Sequence, residues 1–282
     1  MAIFTITRLT FLEAARRRIA LAAFSMGVAF LILYATAFYL VVHQSGLPEG
    51  SLQSNLLRGQ ILNFLSVMGL YAVQFLTIAM AALVAADTLA GEISTGTIQS
   101  IVTKPVRRAE VVAGKWLGYA LLLALYLILM IGGTVTIVAV VGSYSLPNIV
   151  VGSALIYIES LVIMSLTLAC SSMFSTLATG GIVFGLWGLA FIGGFVEQIG
   201  ALVNNPSVVN IGIVSSLILP TEAVFRRAAY LMSNPAAQAL GGLASGPLFV
   251  VSVPSSAMVV YALLYLVALL GLAVRQFGRR DL

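Results

Sequence analysis

The chain has 282 residues, of which 61% are hydrophobic and only 8% charged, and it carries a net charge of +5. Soluble domains carry about 25% charged residues, so this chain has too little polar surface to cover a globule in water, and the bilayer must be its solvent. One cysteine, Cys170, and one histidine, His43, exclude an internal disulfide and leave a metal site or a histidine-dependent nucleophile without its parts.

Residues 1–18 are a polar and basic lead in which Ile3, Phe4, Ile6, Leu9, Phe11 and Leu12 precede Arg16, Arg17 and Arg18. That order predicts an amphipathic helix lying on the cytoplasmic interface, with the arginines serving as a topology signal. The apolar run from Ile19 to Val42 is about 24 residues long and is not followed by a cleavage site and a soluble domain, so it is expected to remain as a span. Five more runs reach the roughly 20 residues that a spanning helix needs. They are Ile61 to Ala86, Trp116 to Val141, Ile149 to Phe174, Leu177 to Val203 and Ser256 to Val274. Backbone groups in lipid must be satisfied within their own segment, and no ten-residue alternation of a barrel occurs. The expected fold is an all-α integral membrane protein, a single transmembrane domain over residues 1–282 with six spans.

Between the second and third spans, residues 87–115 form a charged island holding Asp87, Glu92, Lys104, Arg107, Arg108, Glu110 and Lys115. In so apolar a chain this is where a soluble partner is expected to make contact. Leu89, Ile93 and Ile98 have helical spacing, Thr103-Lys104-Pro105 breaks the backbone because proline disfavours a helical predecessor, and Ala109 to Lys115 restarts a helix.

Glu159 sits near the middle of the fourth span, where a charge is costly and usually faces the protein interior. Two readings stand: a carboxylate of a translocation path or packing network, or a protonated or hydrogen-bonded buried glutamate. In the fifth span, Gly181 and Gly185 have a spacing that allows close helix contact, and Glu197 is expected at the outer interface. Residues 204–255 are read as an extracytoplasmic segment. Ser207 to Leu219 is too short to cross, and Ala236 to Val253 is interrupted by Gly241, Gly242, Gly246 and Pro247, so both are expected as interfacial or re-entrant pieces. Between them a short helix is predicted, capped by Thr221, with Val224, Ala228, Leu231 and Met232 on one face and Arg226 and Arg227 opposite.

With the N-terminus in the cytoplasm, six spans place 11 of the 14 basic residues inside and leave only Arg58, Arg226 and Arg227 outside, which favours both termini in the cytoplasm. No phosphate loop occurs, since Gly114-Lys115 is followed by Trp116 and Ala109 stands where a first glycine would be needed. Ser245 before Gly246 has no base except the distant His43, so the chain is not expected to be an enzyme.

Glu92 followed by Gly96-Thr97, Lys104-Pro105-Val106-Arg107-Arg108, Glu110 and Gly114-Lys115 resembles the loop pattern of permease subunits of type-2 ATP-binding-cassette exporters. Phe277-Gly278-Arg279-Arg280-Asp281-Leu282 is similar to that family's ending, and Leu219-Pro220-Thr221-Glu222 resembles its outer segment before the last span. With six spans, the resemblance covers the whole chain. It implies an inner-membrane permease without its own motor, paired with a second copy or a homologue. Such a permease docks two separate ATPase subunits that hold ATP and magnesium, so this chain itself takes no cofactor and binds no nucleic acid. On that resemblance a short coupling helix lies between spans two and three, residues 1–18 are the interfacial connecting helix, and the ATPase-coupling residues are carried over one by one. Asp87, Glu92, Gly96 and Thr97 belong to the coupling helix and its approach, Lys104, Pro105, Arg107 and Arg108 to the turn back, and Lys115 to the start of the third span. The basic residues serve either docking or topology, and Glu92 pairs either with a cation of the ATPase or with a basic residue of its own loop. Other readings are an ion-coupled secondary transporter, for which paired repeats or several intramembrane charges are expected, and a non-transporting membrane anchor or assembly subunit.

Overall fold

The structure, a computed structural model, describes residues 2–44, 52–94, 108–234 and 250–279. Among these the elements are all helical: α1 (Ala2–Arg16), α2 (Arg18–Gln44), α3 (Leu52–Ser94), α4 (Arg108–Gly142), α5 (Ile149–Ser171), α6 (Thr176–Leu202), α7 (Pro206–Ile218), α8 (Thr221–Met232) and α9 (Ser256–Arg279). Six of them, α2 to α6 and α9, are long and apolar enough to cross a membrane, and they fall on the six apolar runs of the sequence.

Two spans are far longer than crossing requires. Helix α3 has 43 residues and α4 has 35, which at 1.5 Å per residue is about 65 and about 52 Å, against a hydrocarbon core of about 30 Å. The surplus of α3 runs to Ser94 and that of α4 begins at Arg108, so two continuous helices enter the charged island from either side. The expected restart at Ala109 is present. Of the expected helix from Asp87 to Gln99, the part to Ser94 is helical, and the break at Thr103-Lys104-Pro105 lies outside the described residues.

Helix α4 is the rail along which the N-terminal helices lie. Gly114 faces Ile6, Gly118 faces Thr10 and the Thr7 carbonyl, Gly133 faces Leu31, and Gly142 faces Phe38. Residue numbers rise together on both sides, so α1 and then α2 follow α4 in the same direction. Small residues permit this because a helix packed in lipid is held by close van der Waals contact, not by expulsion of water. A β-carbon on Gly118 would stand 2.9 Å from the Thr7 carbonyl and 2.8 Å from the Thr10 Cβ. Gly118→Leu is therefore expected to cost about 1–3 kcal/mol by overpacking and to detach α1. Faster proteolysis in residues 2–16, with the spans still protected, would be the sign of it.

Helix α5 is the centre of the bundle. It is apolar around its circumference, as a helix buried on all sides must be, and Leu155, Ile156, Val162, Ile163, Met164 and Leu168 all lie in the core. It contacts α3, α8 and α9. At the end of the bundle opposite Ser94 and Arg108, α7 turns back along α6. Asn205 starts it, its side-chain oxygen accepting from the backbone N–H groups of Ser207 at 3.1 Å and Val208 at 3.4 Å, with Pro206 in the first helical position. A β-carbon on Gly212 would lie 2.7 Å from both the Glu197 nitrogen and the Gly193 carbonyl, so α7 and α6 touch backbone to backbone.

After Leu219-Pro220 the chain bends by 109° into α8, giving a broken or re-entrant pair. Thr221 does not cap α8: it is the first helical residue, is fully buried, and makes no side-chain cap bond. The Gly181 and Gly185 positions have no neighbour within 4 Å, and the close approaches of α6 are made instead by Gly193 and Gly200. Most of Ala236 to Val253 lies outside the described residues, as do Ser245 and Gly246.

Candidate functional site

The residues that could do something lie in two places along α3. At the end near the charged island, the Thr88 hydroxyl donates to the Tyr119 oxygen at 2.8 Å, joining α3 to α4. One turn before Tyr119, Trp116 Nε1 donates to Ser165 Oγ at 2.9 Å, joining α4 to α5. Lys115, which the sequence places with the ATPase-coupling residues, is 6% exposed and engaged within the bundle. The helix around it is packed by α1 on the Gly114 side, so its aliphatic stem is covered. Gly96, Thr97, Lys104, Pro105 and Arg107 lie outside the described residues, as do the side chains of Asp87, Glu92 and Arg108.

The second place is a polar cluster inside the apolar bundle. Glu159, from the centre of α5, accepts a hydrogen bond from Gln74 Nε2 of α3 at 2.7 Å. The same Nε2 donates to Glu222 Oε2 of α8 at 3.2 Å. Glu197 of α6 accepts from Arg226 Nη2 of α8 at 2.6 Å and from the Ser252 hydroxyl at 2.7 Å. Gln198 next to it binds the backbone on both sides, accepting from the N–H groups of Val251 at 2.7 Å and Ser252 at 3.0 Å and donating to the Ser252 carbonyl. Arg227 donates to the Pro254 carbonyl at 2.7 Å. Gln74, Glu159, Glu222 and Arg226 are each 1% exposed, and Glu197 is 4%.

Two expectations are corrected here. Arg226 was placed on the polar face of an amphipathic helix, and Glu197 at the outer interface; both are buried and paired with each other. A helical wheel assigns one face to the core and leaves the other for water, whereas α8 is enclosed by α5, α6 and the 250–254 segment, so its second face needs a counter-charge and has one. Glu159 has the partner that could not be named from sequence, because Gln74 is 85 positions away. The hydrogen-bonded form of the buried reading fits it, and so does membership of a packing network.

Five buried members of the cluster, Gln74, Glu159, Glu197, Glu222 and Arg226, bring three carboxylates, one guanidinium and one carboxamide together from α3, α5, α6 and α8. Four of its polar atoms have no hydrogen-bond partner among the described residues: Glu159 Oε2, Thr221 Oγ1, and Nε and Nη1 of Arg226. Its arrangement is that of a cross-link between helices. The sequence signals for it were a glutamine inside the second span and an i, i+4 Glu222–Arg226 pair directly after a proline, both unusual in an apolar chain.

A bundle of six apolar helices tied by a buried polar cross-link defines a multi-pass membrane protein. The family described as ABC-2 family transporter protein matches residues 4–282, and the chain belongs to that family. It is therefore a transmembrane subunit of an ABC transporter, a non-catalytic membrane subunit of the kind that generally works with ABC ATPase subunits. A search of curated proteins finds no match to the chain.

Proposed function

We propose that the chain is the permease subunit of an exporter of this family, driven by two separate ATPase subunits that dock on residues 87–115. The observation that carries this reading is the pair of overlong helices: α3 and α4 continue well past the length of a span and reach into the charged island from either side. Continuous helix is stiff, so a push on the island moves both spans. The Thr88–Tyr119 bond keeps the two arms together, and α1, seated on Gly114 and Gly118, moves with α4 as the connecting helix. In this reading α1 and the island face the cytoplasm, both termini lie there, the membrane is the inner one, and the complex holds a second permease, either a copy or a homologue.

Asp87, Glu92, Gly96 and Thr97 form the contact helix and its approach, and Lys104, Pro105, Arg107 and Arg108 lead back to α4. Lys115 braces the start of that helix. ATP and magnesium belong to the partner, and this chain supplies the path. Purification of the chain from its native membrane is expected to bring down an ABC ATPase in stoichiometric amount. In the assembled complex Glu92→Gln is expected to lower transport-coupled ATP hydrolysis at least about tenfold, which corresponds to about 1.4 kcal/mol of lost coupling. Undiminished coupled hydrolysis in that variant removes Glu92 from the contact.

A further inference from the structure

Gln74 lies on α3, the longest of the described helices. From Thr88, where α3 is tied to α4, to Gln74 is 14 residues of unbroken helix, about 21 Å at 1.5 Å per residue. At Gln74 the helix holds two partners through a single nitrogen, Glu159 at 2.7 Å and Glu222 at 3.2 Å. The first is on α5, the core of the bundle. The second is on α8, the returning half of the bent pair that caps the opposite end.

Helix α8 packs along α5 and is also tied to the distal elements. Arg226 is paired with Glu197, Arg227 holds the Pro254 carbonyl, and the Leu231 carbonyl accepts from Asn148 Nδ2 at 3.2 Å. Tyr71, one turn before Gln74, packs its ring on Phe225 with centroids 4.6 Å apart. Around Glu222, then, α3 is joined to α8 by the Gln74 amide and the Tyr71–Phe225 contact, beside the broader packing of α5 on α8. Arg226 also keeps two unused donors, Nε and Nη1, one helical turn from Glu222. A Glu222 released by Gln74 has a cation within reach on its own helix. Release of Glu222, with Gln74 still held on Glu159, does not strand a buried carboxylate, and that makes two arrangements accessible instead of one.

We infer that Gln74 is a positioning residue for transport: it links displacement of α3 at the charged island to the bent α7–α8 pair at the opposite end, by holding Glu222 in one state and yielding it to Arg226 in the other. The inference rests on the permease reading above, and it assigns to that permease the means by which a push on one side reaches the other.

Hydrogen exchange on the complex of this chain with its co-purifying ATPase, in nanodiscs, with and without ATP, magnesium and vanadate, tests it. Two peptides are followed: Ala109 to Tyr119 beside the island, and Thr221 to Met232, which is α8. In the wild type both are expected to change exchange on nucleotide trapping. Gln74→Leu and Glu222→Leu, which remove the donor and the acceptor, are expected to abolish the change in α8 while leaving that in residues 109–119. Glu222→Gln keeps an acceptor oxygen and is expected to preserve both. A change in α8 that persists in Gln74→Leu and Glu222→Leu overturns the linkage. So does its loss in Glu222→Gln as well, which assigns the effect to disturbed packing. If no ATPase co-purifies, or trapping alters neither peptide in the wild type, the permease reading itself fails and takes this inference with it.

Discussion

Arg226→Met is expected to destabilise the protein by about 3–5 kcal/mol, because it removes one partner of a buried ion pair and leaves the other charge without compensation. Arg226 Nη2 and Glu197 Oε2 are 2.6 Å apart, with side chains 1% and 5% exposed. In water the stranded carboxylate would be hydrated, but within an apolar bundle it has only the Ser252 hydroxyl, itself a neutral donor. The double variant Arg226→Met with Glu197→Met is expected to recover most of the loss, since an apolar pair of similar volume carries no desolvation cost. Thermal unfolding of the purified protein in one detergent, followed by tryptophan fluorescence, separates the outcomes. A single variant that melts with the wild type would mean that the pair contributes no stability.

Gly212→Val should be the most damaging of the glycine substitutions. The added β-carbon meets the Glu197 nitrogen and the Gly193 carbonyl at 2.7 Å, and neither is a side-chain end that can swing aside. Helix α7 must move off α6 as a body, at a cost of about 1–3 kcal/mol. That displacement also disturbs Glu197, the partner of Arg226. Gly185→Ala on the same helix α6 is the control. Its β-carbon meets nothing within 4 Å, and removing a glycine from a helix interior gains up to about 1 kcal/mol of propensity. The expected order in melting temperature is Gly185→Ala at or above wild type, with Gly212→Val well below it. Equal stability for the two would show that the α6–α7 contact has room that its glycines do not suggest.

Both variants act on a part of the molecule that sequence placed only coarsely. Residues 204–255 could be read as non-crossing and as containing a short helix, because length and interruption by glycine and proline are local properties. The inward side of α8 could not be read. Val224, Ala228 and Met232 made one apolar stripe, and Arg226 and Arg227 looked like its wet side. The structure separates these two arginines: Arg226 is buried against Glu197, whereas Arg227 reaches the Pro254 carbonyl. Nothing in a single helix distinguishes an arginine facing water from one facing a glutamate on another span. Glu159 is the intermediate case. Its position in mid-span favoured an interior-facing side chain, but the partner's identity depends on which turn of α3 passes α5.

The charged island between spans two and three was legible from the start, and the structure adds to it the length and continuity of the helices on either side. Hydrophobic burial in a bilayer sums along the chain, segment by segment, and so six helical spans and the charged connection between the second and third could be read from run length and composition alone. Pairing of buried polar groups does not sum in that way. Gln74, Glu159 and Glu222 meet across 85 and 148 positions, on helices that approach closely at glycines such as Gly152, which faces Met232 of α8, and Gly194, which faces Glu222 itself. That contact could be seen only in the folded chain, because a hydrogen bond depends on distances of a few tenths of an ångström between helices that no window of sequence contains.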